Sequence, residues 1–200
     1  MKKLYFIMAL MFGCAAELET TDTLGSPPEP PEPEEILEPV GVIPDDDCQH
    51  VDIGDKPCNF RLLDQNGEVW DLYSHEGKVI VIDFSAMWCG PCQAGGAVAQ
   101  KLQDDYEEQG FVLVTVLIDG YTIGVEPTEE ELQEWITYHN ITTSPVLFGS
   151  REKMLDSTSI DGYYISGFPT YLYIDREMKF YSGHSGFGED YIRQIIEQGL

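Results

Sequence analysis

The sequence WCGPC at residues 88–92 follows the apolar run 79–84 and stands at the start of a predicted helix. Two cysteines separated by two residues can close a small disulfide ring, and the positive end of the helix dipole favours a thiolate. This pattern predicts a redox dithiol at Cys89 and Cys92. The alternative, half of a structural zinc site, needs four ligands, and the two other mature-chain cysteines stand ten residues apart instead of forming a second close pair.

A second motif, GFPT at residues 167–170, precedes the apolar run 171–174. Together with VIDFSAM at 81–87, directly before WCGPC, it resembles the thioredoxin superfamily, in which such a loop holds a cis proline against the disulfide. The longer segment between the two motifs and an N-terminal hairpin are similar to the membrane-tethered TlpA/ResA-type branch of thiol-disulfide oxidoreductases. The resemblance covers residues 50–200. It implies a thioredoxin-like three-layer α/β/α sandwich with a mixed central sheet and an added N-terminal β-hairpin.

The order of the two cysteines suggests their roles. Cys89 is the predicted nucleophile, because it stands first in the motif and next to the helix N-terminus. Cys92, one turn further along, is the predicted resolving thiol, and the exchange requires no metal or organic cofactor. Gly90 and Pro91 between the cysteines resemble the reducing members of the superfamily. Trp88 is expected to cover one side of the dithiol.

The resemblance also bears on Asp83, Pro169, Phe168 and Gly95. Asp83, in an otherwise apolar strand, matches a buried acid that assists proton removal from the second cysteine, and Thr115 corresponds to the lysine that usually accompanies it. Pro169 is expected to form a cis bond with Phe168, whose backbone is then free to pair with an extended substrate. The bulky Phe168 ring either narrows substrate access or offers an apolar contact. Gly95 replaces an acidic residue of the tethered branch, and with the glycine after it either admits a substrate backbone or relieves packing.

The rest of the domain is predicted as alternating strands and helices. An Asn-Gly pair between the runs 60–63 and 68–72 predicts a hairpin. Thr128 and Glu131 form a capping box for an acidic helix that runs to about residue 139. The other expected elements are a helix from the motif to residue 110, strands at 111–118 and 145–148, a brief helix within 150–164, a closing hairpin of 170–174 and 179–181, and a last helix with Ile192, Ile195 and Ile196 on its apolar stripe.

The N-terminus has the pattern of an export signal. Two lysines precede nine apolar residues, 4–12, which are too few to span a bilayer. Cys14 follows a glycine as in a bacterial lipoprotein box, so residues 1–14 are predicted as a lipoprotein-type signal peptide with Cys14 as the lipidation site. Ordinary signal cleavage after Ala16 is the alternative. Both place the domain outside the cytoplasm, in the bacterial periplasm or at the cell surface, and the first attaches it to a membrane through a lipid anchor only.

Residues 15–47 are rich in proline and carry 11 acidic and no basic side chains. Such a segment buries too little apolar surface to offset its ordering entropy, so a disordered tether is predicted, followed by the thioredoxin-like domain at 48–200. The whole chain has a formal net charge of -25. This charge excludes nucleic acid as a partner, repels an anionic membrane surface and favours a basic protein partner.

Cys48 and Cys58 stand at the start of this domain. In an oxidising compartment two cysteines this close in sequence most often form a structural disulfide, which is the prediction here. The alternatives are a metal site that also uses His50, and a second redox pair that relays electrons to the first. The remaining histidines, at positions 75, 139 and 184, are expected at the surface or in turns.

These features predict an exported protein-disulfide oxidoreductase that favours the reduction of substrate disulfides. Its predicted partners are protein thiols and disulfides and a transmembrane electron donor that regenerates the dithiol. By analogy to the tethered branch, its substrates are expected to include apocytochrome c or its partners in cytochrome c maturation. Two alternatives from other classes remain: a copper-delivery module that uses Cys89, Cys92 and a histidine, and a redox-inactive docking lipoprotein.

Overall fold

A computed structural model of the chain describes residues 38, 40–43, 52–158 and 162–200. The first three strands, β1 (Gly41–Ile43), β2 (Asn59–Leu63) and β3 (Val69–Asp71), form a small antiparallel sheet. The tight turn between β2 and β3 is held by the Asp64 carboxylate, which accepts hydrogen bonds from the backbone amides of Asn66 at 2.8 Å and Glu68 at 3.0 Å. The predicted N-terminal hairpin is therefore the β2–β3 pair.

Strand β1 lies inside the segment 15–47 that the composition predicts as a tether. It pairs with β2 over three residues, because the short run Gly-Val-Ile there has enough apolar and extended character to add to an open sheet edge. The folded domain thus includes residues before the predicted boundary at 48. The rest of the predicted tether, apart from residues 38 and 40, and the predicted signal peptide lie outside the described residues.

The central sheet has five strands: β4 (Val79–Ala86), β5 (Phe111–Asp119), β6 (Val146–Phe148), β7 (Thr170–Ile174) and β8 (Phe180–Ser185). Their order is β6-β5-β4-β7-β8. The pairs β4–β5 and β5–β6 are parallel, and β4–β7 and β7–β8 are antiparallel, so the sheet is mixed as predicted. Every residue of β4 and β5 is buried, as expected for central strands that are covered on both faces.

Four α-helices accompany the sheet in the described residues: α1 (Gly90–Tyr106), α2 (Glu129–His139), α3 (Arg151–Met154) and α4 (Glu189–Gly199). Helices α1 and α4 cover one face, where Val79 and Val81 of β4 pack with Leu102 and Ile192. The small sheet and α3 cover the other face, as seen from the packing of the β4 residue Ile82 in a cluster with residues of β2 and α3. This arrangement confirms the three-layer fold.

The start of α2 follows a local sequence signal, whereas the end of α1 differs from its predicted position. Helix α2 begins with the predicted capping box: the Thr128 side chain accepts a hydrogen bond from the Glu131 amide, and the Glu131 carboxylate accepts one from the Thr128 amide. Helix α1 ends at Tyr106, before the predicted limit at 110, and a short 3-10 turn follows it. Among the residues that the structure describes, none of the helices combines the length and apolar character that crossing a bilayer requires.

Candidate active site

The predicted dithiol lies where β4 runs into α1. Cys89 is the N-cap residue of α1, with an extended backbone, and its sulfur accepts a hydrogen bond from the Cys92 amide at 3.2 Å. The helix starts at Gly90, and Pro91 occupies a first-turn position, where a missing amide hydrogen leaves no bond unmade. Cys89 and Cys92 are joined by a disulfide. The motif therefore places both sulfurs at the positive end of a 17-residue helix.

Both cysteines are almost completely buried. Cys89 is 3% exposed and Cys92 is completely buried. Both belong to an apolar cluster that includes Leu132 and Trp135 of α2, so the inserted helix α2 forms part of the wall around the disulfide. The small exposed area of this disulfide lies on Cys89.

The second sequence motif meets the first in space. The peptide bond between Phe168 and Pro169 is cis, as predicted. The half-buried Phe168 ring packs against the cluster that contains Cys89 and Cys92. It also lies edge-on to the Trp88 ring, with ring centres 6.2 Å apart. Phe168 and Trp88 together therefore form an aromatic rim at the dithiol, and 40% of Trp88 is exposed.

This rim is held by a charged pair that the sequence did not reveal. The Trp88 indole nitrogen donates a hydrogen bond to Asp119 Oδ2 at 3.0 Å, and Arg151 binds both oxygens of the same carboxylate, at 2.8 and 2.6 Å. The Arg151 guanidinium also lies over the Phe168 ring, 5.5 Å from its centre. Burial alone would raise the pKa of Asp119, but hydrogen bonds from Arg151, Gly124 and Trp88 outweigh it and hold that pKa below its usual value.

Asp83 lies on the face of β4 that is turned toward α1, and it is 1% exposed. The Ser85 hydroxyl donates a hydrogen bond to its Oδ1 at 2.7 Å. Burial raises the pKa of Asp83 from 3.8 to about 7, although the Ser85 bond works in the opposite direction. A carboxyl group with this pKa can exchange a proton near neutral pH.

The region around α1 corrects one expectation from the sequence and decides between two alternatives. His139, expected at the surface, is buried at the end of α2, and its Nε2 is hydrogen-bonded to Gln93 Oε1 at 3.0 Å. Burial lowers the pKa of His139. Gly95 and Gly96 are both buried, and an added methyl group would overlap Tyr171 at the first position and His139 at the second. The glycines therefore relieve packing and do not admit a substrate backbone.

The other two histidines also pack against aromatic rings. His75 stacks on Trp70 with ring centres 4.6 Å apart, and burial lowers its pKa to about 4. His184 is half-buried and its Nε2 is hydrogen-bonded to the Tyr173 hydroxyl at 2.9 Å. Within the described residues no three His, Cys, Asp or Glu side chains come together as a metal site requires, so the copper alternative has no third ligand in that part of the chain.

Of the two predicted structural cysteines, Cys58 lies within the described residues. Cys58 is buried and disulfide-bonded. Its predicted partner Cys48, the residue His50 of the alternative metal site, and the predicted lipidation site Cys14 lie outside the described residues. The pairing of Cys48 with Cys58 stays a prediction.

A groove of about 300 Å³ lies next to the dithiol. It is lined by Met87, Gln93, Tyr121, Glu134, Trp135 and Tyr138. Because Met87 and Gln93 flank the motif directly, this aromatic and acidic groove adjoins the dithiol.

Known proteins resemble the chain in both sequence and structure. The AhpC/TSA family model matches residues 53–179. A protein of Oceanobacillus iheyensis named thiol-disulfide oxidoreductase ResA is 33% identical over 90 residues, which cover 43% of this chain and 47% of that protein. The chain thus spans about half the length of that relative. The protein of the same name from Halalkalibacterium halodurans is 28% identical over 72% of this chain and 75% of its own length.

Two solved structures extend the similarity. A protein from Chlorobium tepidum, assigned as the thiol:disulfide interchange protein DsbE, superposes with a TM-score of 0.61 at 27% identity and covers 74% of this chain and 96% of its own. The exposed lipoprotein thioredoxin Etrx1 of Streptococcus pneumoniae superposes with a TM-score of 0.56 at 25% identity, over 70% of this chain and 98% of its own. The enzyme class that the sequence predicts agrees with the names of these proteins.

Proposed function

The chain belongs to the AhpC/TSA family and has a thioredoxin-like fold, and on this premise we propose that it is a thiol-disulfide oxidoreductase whose redox pair is Cys89 and Cys92. The observation that carries the proposal is the Cys89–Cys92 disulfide at the N-terminus of α1, packed beside the cis-proline loop. A structural disulfide does not need a helix N-terminus to stabilise one of its sulfurs, whereas a redox pair does.

In the reducing direction, the Cys89 thiolate attacks a sulfur of the substrate disulfide. A bond forms between Cys89 and that sulfur, and the second substrate sulfur leaves as a thiolate and takes a proton from solvent. Cys92 then loses its proton and attacks Cys89, which releases the first substrate sulfur and closes the Cys89–Cys92 disulfide. Two electrons pass from the dithiol to the substrate. The buried carboxylate of Asp83 is the proposed acceptor of the Cys92 proton, since its pKa lies near 7.

The proposed substrate is an extended polypeptide. The backbone of Phe168, next to the cis proline, would pair with it, while the Phe168 and Trp88 rings form an apolar contact at the mouth of the dithiol. The groove at Tyr121 and Tyr138 would take a substrate side chain. The net charge of -25 favours substrates with a basic surface.

Reduction of substrate disulfides is the proposed physiological direction, supported by the Gly90-Pro91 pair between the cysteines. A transmembrane electron donor would then regenerate the dithiol, and apocytochrome c in cytochrome c maturation is the proposed substrate class. The direction of exchange depends on the reduction potential of the Cys89–Cys92 pair. Known reductants and oxidants of this chemistry differ in reduction potential by about 150 mV, or about 7 kcal/mol for two electrons.

An extracytoplasmic location with a lipid anchor at Cys14 completes the proposal. It rests on the lysine-led apolar run that ends at this cysteine and on the similarity to a pneumococcal protein described as an exposed lipoprotein. Labelling cells that express the full chain with radioactive palmitate, with Cys14→Ser as the control, would test it. Label that persists in the Cys14→Ser variant would contradict the anchor.

A Cys92→Ser variant of the full chain tests the chemistry. When it is mixed with a protein disulfide such as that of insulin, a covalent complex through Cys89 is expected on a non-reducing gel. Cys89→Ser should trap nothing. If Cys92→Ser forms no mixed disulfide with any protein or small disulfide, the proposal is wrong, and the redox-inactive alternative takes its place.

A redox titration in glutathione buffers, with each disulfide located by mass spectrometry, would then test the direction. A potential near the roughly -270 mV of thioredoxin supports reduction of substrates, whereas one near the roughly -120 mV of a strong oxidant contradicts it.

A further inference from the structure

Two buried hydroxyl groups flank the Asp83 carboxyl. In the central sheet Asp83 lies directly opposite Thr115 of β5 and directly opposite Tyr171 of β7. Side chains paired in this way project from the same face of a sheet. Thr115 is completely buried and Tyr171 is 2% exposed, yet neither hydroxyl has a hydrogen-bond partner among the described residues. Since buried hydroxyls are normally paired, both are available to a polar group placed between them and the carboxyl.

The shared face is the one that packs against α1. Val79 and Val81, on the same side of β4 as Asp83, pack with Ala99 and Leu102 of α1. Asp83 comes two residues later on this strand and so faces an earlier part of the helix. The earlier part of α1 begins at Cys89 and Cys92.

The Tyr171 hydroxyl reaches α1 itself. It lies so close to the backbone of Gly95 that a methyl group at this position would overlap the phenol oxygen. Gly95 follows Cys92 by three residues, and residues spaced in this way share one face of a helix. Only glycine therefore lets the Tyr171 hydroxyl sit against the turn of α1 that carries the resolving cysteine.

The groups that face Asp83 carry no positive charge. Its pKa follows from burial and the Ser85 hydrogen bond, with no contribution from a lysine or arginine. Among the described residues, the titratable groups near it are Tyr171 and Tyr173 of β7, whose pKa values its charge raises, and His184 of β8, which contacts both tyrosine rings. Cys92 lies one turn before Gly95 on α1. Burial, and then the charge of Asp83, raise the pKa of Tyr171, so its hydroxyl stays protonated at neutral pH and can donate.

We propose that Tyr171 is a positioning residue for the resolving step: its hydroxyl and that of Thr115 bind a bridging water that donates a hydrogen bond to the Asp83 carboxylate. Three polar partners are enough to hold a buried water. The inference rests on the proposed function. In that step Asp83 takes the proton of the Cys92 thiol, the Cys92 thiolate attacks Cys89, and the bond between Cys89 and the substrate breaks. The substrate sulfur leaves as a thiolate and is protonated by solvent.

The direct test is the pKa of Asp83 in the oxidised full chain, followed by NMR of carbon-13-labelled aspartate carboxyls and assigned with Asp83→Asn. Tyr171→Phe and Thr115→Val each remove one hydroxyl with little change of shape. Each should raise the pKa of Asp83 by roughly one unit, because the carboxylate loses part of its hydrogen bonding. An unchanged pKa in both variants would overturn the inference.

Tyr106→Phe is the matched control. Tyr106 belongs to the same buried cluster, at the far end of α1, and its hydroxyl bonds to Glu197 at 3.1 Å. The same chemical change there should leave the pKa of Asp83 where it is. A shift as large as that of Tyr171→Phe would show a general effect of packing and would also overturn the inference.

A second measurement follows the step itself. A mixed disulfide between Cys89 and thionitrobenzoate releases its chromophore when Cys92 attacks, and the rate is recorded against pH. The midpoint of this profile should move to higher pH in Tyr171→Phe, so that release below the midpoint slows by roughly tenfold for a one-unit shift. An unmoved midpoint would contradict the role in resolution. Failure to form any mixed disulfide would instead overturn the proposed function, a result that the NMR titration distinguishes because it requires no turnover.

Discussion

The backbone amide of Cys92 donates a hydrogen bond to the sulfur of Cys89, at a distance of 3.2 Å. Because Cys89 also caps α1, the same amide and the helix dipole are in place to stabilise a thiolate once the disulfide is reduced. The sulfur of Cys92 lies one turn inside the helix and is completely buried, which favours its thiol form. The two sulfurs should therefore differ in reactivity.

We expect the reduced chain to react with iodoacetamide first at Cys89, with a pKa for that thiol below the ordinary value of about 8.5. Rates measured against pH, with peptides separated by mass spectrometry, give each cysteine its own titration curve. Cys92→Ala keeps the capping amide and should leave the low pKa of Cys89 in place. Faster alkylation at Cys92, or an ordinary pKa at Cys89, would contradict the assignment of the nucleophile.

Burial of Asp83 predicts a pH-dependent loss of stability. The pKa of its carboxyl is raised from 3.8 to about 7 in the folded chain. A group whose pKa is raised by folding contributes stability below the unfolded value, and that contribution is lost as pH rises through the folded value. A rise of this size lowers the free energy of unfolding by on the order of 4 kcal/mol once the pH lies above the folded pKa.

Asp83→Asn should remove this loss, since the amide is neutral at every pH and can still accept the Ser85 hydrogen bond. The oxidised variant is expected to be more stable than the parent chain at pH 8 and close to it at pH 4, as measured by chemical denaturation. Asp104→Asn, an exposed change on α1, is the control and should show no such trend. Parallel curves for the parent chain and Asp83→Asn would contradict the prediction.

Arg151 neutralises a carboxylate that is completely shielded from solvent. The Asp119 side chain has no exposed area, and Arg151 contacts both of its oxygens. Among the described residues, Arg151→Ala leaves this charge with the Trp88 and Gly124 donors. Because the Arg151 side chain is itself 46% exposed, the free energy of unfolding at pH 7 should fall by about 1 to 3 kcal/mol, less than for a fully buried pair. Because the pKa of Asp119 is lowered in the folded chain, the stability that this pair contributes is present above the unfolded value and is lost as pH falls.

The difference in free energy of unfolding between the parent chain and Arg151→Ala should therefore shrink as the pH is lowered below about 4, where the Asp119 carboxyl is protonated in the unfolded chain. Arg151→Lys keeps the charge without the two-point contact. Its free energy of unfolding should lie between those of the parent chain and Arg151→Ala. The fluorescence of Trp88, which shares the carboxylate, reports whether the rim moves as well. A deficit that is the same at pH 3 and pH 7 would show that lost packing, and not the buried charge, is responsible.

Features of the site that depend on local sequence were predictable. The WCGPC motif specifies its own helix start, since the cap, the first-turn proline and the pair of sulfurs lie within five residues. The capping box at Thr128 likewise contains both of its partners within one turn. Such signals act through bonds to the nearest backbone, so they do not depend on the rest of the chain.

Features of the site that depend on tertiary contacts were not predictable from the sequence. Asp119 and Arg151 are 32 residues apart, and either one alone reads as a turn or surface residue. His139 is buried because α2 packs against the glycines of α1, which no local pattern around the histidine indicates. Strand β1 lies in an acidic, proline-rich segment, whose composition outweighs three residues with strand character.

The fit between Gly95 and Tyr171 can be measured apart from any redox reaction. Gly95→Ala has two opposing effects on the free energy of unfolding. Alanine favours a helix over glycine by up to about 1 kcal/mol, whereas the overlap of its methyl group with the Tyr171 hydroxyl should cost about 1 to 3 kcal/mol. The net result in the parent chain is expected to be destabilising.

Tyr171→Phe removes the overlapping oxygen and leaves a ring carbon 3.7 Å from the added methyl group, which is an ordinary contact. In that background Gly95→Ala should be neutral or stabilising, so a double-mutant cycle by chemical denaturation should give a coupling of about 1 kcal/mol or more. Gly90→Ala, in the same helix but with open space around it, should have the same effect in both backgrounds. If Gly95→Ala also has the same effect with and without the phenol oxygen, the two residues do not constrain each other, and Gly95 serves only the helix backbone.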